Sequence, residues 1–166
     1  MVRQRSPIHP AARTPRPARR IHEEGPDKLP ELAACPECRA SYRNGRWTWK
    51  PAPADAYEAI CPACERIAAD YPAGVLELEG DFVSAHRDEL RGLLHNVEER
   101  ERAEHPLKRI MAIQDEGASV VVTVTDAKLA RSLGQALHRA YEGQLEQPPT
   151  TSDVENLVRV HWRRDA

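Results

Sequence analysis

The chain has 166 residues, enough for one ordinary domain or for a small module plus a compact one, and its 5% aromatic content argues against a large aromatic pocket. The formal net charge of -2 hides a split: residues 1–22 carry six arginines and no acid, which leaves 18 basic against 26 acidic side chains elsewhere. That balance excludes a nucleic-acid binder that is basic over its whole surface. The longest apolar runs, such as VVVTV at 120–124, are strand-sized and fall far short of the roughly 20 residues a membrane helix needs. The basic start lacks the apolar stretch of a secretory signal, and its prolines oppose the amphipathic helix of a transit peptide, so a cytoplasmic location is expected.

In chain order, residues 1–30 are rich in Pro, Arg and Ala and nearly free of large apolar side chains. Such a segment cannot bury enough surface to offset its ordering entropy, so it reads as a disordered basic tail, either a solubilising extension or an electrostatic attachment to a polyanion. Residues 31–72 hold both cysteine pairs, separated by a Pro-containing loop at Pro51 and Pro53, with a short helical turn expected around the second pair. Residues 73–166 then alternate between strand and helix patterns. A strand is expected at 73–80 and a helix at 81–105, with Leu90, Leu93, Leu94 and Val97 on its inner face and Asp81 or Ser84 as its cap. Strands follow at 107–114 and 118–125, joined by a turn at Asp115–Gly117. A second helix begins after Asp126 and stops at Gly143, and a last strand covers 155–164. The order β-α-β-β-α-β is the split-βαβ motif, so the expected fold class is α+β: a zinc ribbon followed by a ferredoxin-like domain with an antiparallel four-stranded sheet. Gly92 and Gly134 sit inside the expected helices, through either close approach of a neighbour or simple tolerance.

The chemistry is concentrated in the cysteines. Cys35-Pro-Glu-Cys38, a 22-residue spacer and Cys61-Pro-Ala-Cys64 match the four-thiolate metal template, in which two short knuckles surround one ion. Four free thiols or disulfides are the competing possibility and suit a reducing compartment poorly. Soft thiolates select zinc or iron. Structural zinc is favoured over a rubredoxin-like iron centre, whose knuckles usually carry glycine where Arg39 and Glu65 stand. Four cysteines leave no open position for a bound water, so one structural zinc and no catalytic role are expected. Between the pairs, RASYRNGRWTWK reads as a β-hairpin turning at Asn44-Gly45. Arg39, Arg43, Arg46 and Lys50 are candidates for phosphate contact, and Trp47 and Trp49 either stack on bases or cover the metal site.

No nucleophile–base pair or phosphate-cradling glycine loop is evident, and the run Glu98, Glu99, Glu101 and Glu104 reads as a solvated helix end. On the sheet face away from the helices, Thr123, Arg159, His161 and Arg163 form a polar, partly basic strip without the aromatics of an RNA-recognition motif.

The four-cysteine ribbon together with TDAKLARSLGQAL (125–137), AYEG (140–143) and LVRVHW (157–162) resembles a family of small uncharacterised bacterial zinc-ribbon proteins. More distantly, it is similar to the N-terminal part of the large-ribosomal-subunit export adaptors of the nonsense-mediated-decay-three type. The resemblance implies ribosome or RNA association without catalysis, with Cys35, Cys38, Cys61 and Cys64 at the metal-ligand positions of one ribbon. The adaptors' further cysteine pairs are absent, so an export role does not carry over. The expected function is non-enzymatic binding of RNA or the ribosome. The alternatives are a protein–protein adaptor with purely structural zinc and, more remotely, a small enzyme or redox protein.

Overall fold

The computed structural model describes residues 31–150 and 157–166. The basic tail expected at 1–30, and residues 151–156 ahead of the last strand, lie outside the described residues.

A small sheet holds the cysteine region. Its strands β1 (Ala33–Ala34), β2 (Ser41–Arg43), β3 (Arg46–Thr48) and β4 (Tyr57–Glu58) stand in the order β3-β2-β1-β4. β2 and β3 form the expected hairpin. Asn44 at φ +50° and Gly45 at φ +79° supply the two left-handed residues that match the strand twist, and Tyr42 lies opposite Trp47. β1 is antiparallel to β2 and parallel to β4, so this sheet is mixed. Helix α1 (Pro62–Ala69) follows, with proline in its first turn and Cys61 as its N-cap.

The second sheet is built from β5 (Gly74–Glu79), β6 (Ile110–Glu116), β7 (Ser119–Val124), β8 (Gln144–Glu146) and β9 (Val158–Arg163), in the order β6-β7-β5-β9-β8. Its helices are α2 (Asp81–Ala85), α3 (Arg87–Glu104) and α4 (Ala127–Tyr141). Alternation places Leu76, Leu78, Val120, Val122, Val124, Val158, Val160 and Trp162 on one face. There they meet Leu90, Leu94 and Val97 of α3 and Leu129, Leu133 and Leu137 of α4 in one core.

β7 lies between β5 and β6, as the split-βαβ order requires, but the expected antiparallel sheet is corrected to a mixed one. β9 runs parallel to β5, from the pair Gly74–Val158 to the pair Glu79–Arg163. The cause is β8, which the sequence pattern did not mark. The chain leaves α4 through Glu142 and Gly143, both at positive φ, and lays β8 antiparallel to the edge of β9. It therefore comes back along β9 in the opposite sense. The expected helix at 81–105 is likewise two helices. His86, at φ -124° and ψ 26°, ends α2 and starts α3, its ring stacked 3.9 Å from that of Phe82. Neither Asp81 nor Ser84 is an N-cap; Gly80 occupies that position for α2 and His86 for α3. Asp126 does cap α4, accepting from the Leu129 N–H at 3.0 Å.

On the face turned away from the core, the expected polar, partly basic strip of Thr123, Arg159, His161 and Arg163 has acidic neighbours. Glu77 and Glu79 of β5 stand beside β9, pairing with Arg159 at 3.7 Å and His161 at 3.0 Å respectively.

Candidate metal centre

The sulfurs of Cys35, Cys38, Cys61 and Cys64 all lie within 4.8 Å of one another, and no disulfide joins them. Local backbone geometry brings them together. Cys35 directly follows β1, and its knuckle closes through Cys35 N–H to the Ala40 carbonyl (2.8 Å) and Arg39 N–H to the Cys35 carbonyl (2.9 Å). Arg39 turns the chain at φ +70°, a left-handed conformation that glycine adopts freely and arginine adopts at a cost of about 1 kcal/mol. The second knuckle is the first turn of α1. The Cys61 sulfur accepts from Cys64 N–H at 3.4 Å, and Cys61 N–H donates to the Cys35 sulfur at 3.3 Å, tying one knuckle to the other.

These distances suit a metal. The Cys38 and Cys61 sulfurs are 3.7 Å apart. Four thiolates at the usual Zn–S bond of ~2.3 Å define a tetrahedron with edges of ~3.8 Å. The site is compatible with one ion held by these four residues, and its all-thiolate donor set suits zinc or iron over magnesium or calcium.

One further residue meets the sulfurs, and the sequence pattern did not mark it. Arg109, at the entrance to β6, is only 6% exposed, and its guanidinium points at the sulfurs. Nη1 donates to Cys64 at 3.1 Å and Nη2 approaches Cys61 at 3.5 Å, while Nε donates to the Pro106 carbonyl at 2.9 Å. Its backbone is fixed as well: Arg109 N–H donates to Thr125 Oγ1 at 2.9 Å, and that hydroxyl donates to the Leu107 carbonyl at 2.6 Å. Leu107 packs on the apolar shell that Cys35, Cys61 and Ala63 form with Trp47 and Ile60. The centre therefore lies where the ribbon meets the larger sheet. No motif signals Arg109; the nearest hint is a charge beside an otherwise apolar strand.

The electrostatics follow from burial and this cation. Burial is the largest influence on Cys61 and Cys64 and pushes both thiols up, assisted by the charge of Cys35. On Cys38 burial is outweighed by the Ala40 backbone hydrogen bond, the Arg109 hydrogen bond and charge, and the Cys61 hydrogen bond, which together bring it down to about 7. Burial opposes the Arg109 charge, but the sulfurs of Cys64 and Cys38 more than compensate and push its pKa up.

The other candidate residues are dispersed around the ribbon. Arg39, Arg46 and Lys50 are exposed and form no ion pair among the described residues. Arg43 is half-buried and donates to the Pro51 carbonyl. Trp47 packs against the cysteine shell and meets Tyr42 edge-on at 5.6 Å. Trp49 donates its indole N–H to the Arg102 carbonyl at 2.6 Å, satisfying one of the last carbonyls of α3, and the Arg102 guanidinium lies 5.7 Å from its ring.

No protein-family model matches the chain, and no curated protein or solved structure is significantly similar to it. What the chain does must therefore be argued from its own residues. Among those described, no helix is long and apolar enough to cross a membrane.

Proposed function

We propose that the protein is a non-enzymatic RNA-binding module of the ribosome-associated kind, in which a single zinc ion held by Cys35, Cys38, Cys61 and Cys64 fixes a basic hairpin on an α+β body. The observation that carries this reading is the pairing of a four-sulfur cluster with three exposed cations, Arg39, Arg46 and Lys50, on the same small ribbon, none of them in an ion pair among the described residues. Four thiolates complete the tetrahedron, so the ion stabilises structure and has no position for activating water. The ribbon then holds its cations in fixed places, so less entropy is lost when they meet phosphates. Arg39 supports the same reading: it occupies a left-handed turn that glycine would hold without strain, and its side chain faces solvent. With Trp47 packed on the cysteine shell and Trp49 bonded to the end of α3, phosphate contact and not base stacking is the expected mode, which predicts weak sequence preference.

The test is binding of intact protein to ribosomes and to a fluorescently labelled single-stranded RNA at two salt concentrations, compared with Arg39→Gln/Arg46→Gln/Lys50→Gln. The triple variant should retain its zinc and its melting temperature. It should lose affinity, and its salt slope should fall by about one unit for each phosphate contact removed. Equal binding by both proteins, or none by either at low salt, overturns the RNA reading and leaves a protein partner for the module.

A further inference from the structure

The larger domain sends one buried cation into the ribbon's sulfur cluster, and that contact gives the centre a fifth participant. The Arg109 guanidinium is held at Nε by the Pro106 carbonyl, and its backbone is pinned by Thr125, so the fork is oriented by contacts other than those to sulfur. It has no carboxylate partner among the described residues; the groups it meets are the sulfurs of Cys64 at 3.1 Å and Cys61 at 3.5 Å, and it interacts with Cys38 as well. A guanidinium buried this deeply without a counter-charge is costly. Four thiolates around one divalent ion, conversely, leave the centre with surplus negative charge. Each side offsets the other. Hydrogen bonds from N–H groups to ligating sulfur withdraw electron density from it, weaken its attack on electrophiles and oppose its departure from the ion as a protonated thiol.

We infer that Arg109 is a positioning residue for the metal centre, holding the Cys61 and Cys64 thiolates on the ion and making metal retention depend on the ribbon being seated against β6. This rests on the metal reading above. The second knuckle lies on α1 of the ribbon, whereas its hydrogen-bond donor belongs to the body, 45 residues away from Cys64 in the chain. Metal loss should free the ribbon from the body, and displacement of the ribbon should loosen the metal. Lysine cannot replace the fork, because it presents a point charge where two sulfurs are met by two donors in fixed geometry.

The experiment compares intact protein with Arg109→Met and Arg109→Lys. Zinc content is measured first, then the rate of zinc transfer to a chromogenic chelator, then the sulfur-to-metal charge-transfer band of the cobalt-substituted proteins. Arg109→Met should hold zinc roughly 10- to 100-fold more weakly, the usual effect of deleting an outer-shell partner, and release it faster, with Arg109→Lys in between. The cobalt band should move to lower energy in both variants as the thiolates regain electron density, a signature that a purely packing role would not produce. Should Arg109→Met fail to fold, Arg109→Lys carries the same two readouts. Zinc bound at full occupancy with unchanged release and an unmoved band in the folded variants overturns the role of Arg109 alone. No zinc in the intact protein overturns the metal reading and this inference with it.

Discussion

Trp47 and Trp49 show how neighbouring residues of one type come to hold different posts. They are two apart in a strand-like run, yet Trp47 packs onto the cysteine shell while Trp49 reaches the C-terminal end of α3. Trp47→Ala would strip the shell of its largest side chain and is expected to destabilise the protein by roughly 2 kcal/mol or more, with faster zinc loss. Trp49→Ala removes one hydrogen bond and an exposed cation–π contact and should cost about 1 kcal/mol while leaving zinc retention nearly unchanged. Urea unfolding of both variants alongside zinc-release rates checks this; equal effects on zinc would show that the two rings act as one unit. The cysteines were legible in the sequence because their spacing is local and their chemistry is narrow. Arg109 was not, because its contact with sulfur depends on how a distant strand entrance docks on the ribbon.

Among the elements, glycines inside helices separate what local pattern can say from what only packing can. Gly134 of α4 faces the sheet. A β-carbon placed there would lie 2.7 Å from Val160 Cγ1 and 2.9 Å from Leu145 Cδ1, and Val160 is buried and stiff about its first torsion. Gly92 of α3 has nothing within 4 Å of the same position. Gly134→Ala should therefore destabilise the fold by about 1–3 kcal/mol through overpacking, whereas Gly92→Ala should stabilise it by up to about 1 kcal/mol through helix propensity. Thermal denaturation of the two variants decides the matter, and a stabilising Gly134→Ala would contradict the close approach of α4 to β9. The sequence raised both possibilities for both residues without separating them, since the neighbours of a helix are a tertiary property. The hairpin turn was readable because Asn44-Gly45 meets a local demand for positive φ. β8 was not, because Gln144–Glu146 is short and carries a single inward apolar residue, Leu145. Missing β8 also hid the parallel course of β9, since the alternation of Val158, Val160 and Trp162 is the same in either direction.

At the scale of the whole molecule, the ribbon and the body share one interface. Leu107 and Arg109 enter the cysteine shell and Trp49 caps α3, while within the body Lys108 is tied to Glu101 of α3 at 2.6 Å. Among the described residues, each of these contacts lies on or beside the segment that joins α3 to β6. An ion bound to the four sulfurs would order both knuckles together, contribute folding free energy directly and keep Trp47 and the hairpin in register with α3. The proposed RNA contacts depend on that arrangement, because Arg39 follows one knuckle, Arg46 opens the hairpin's second strand and Lys50 lies just beyond that strand. The most direct test is X-ray absorption at the zinc edge on the purified intact protein, with elemental analysis of the same sample. The expected result is one zinc per chain with four sulfur neighbours at ~2.3 Å and no nitrogen or oxygen neighbour; a zinc-free protein, or an ion with a light-atom ligand in its shell, would contradict it.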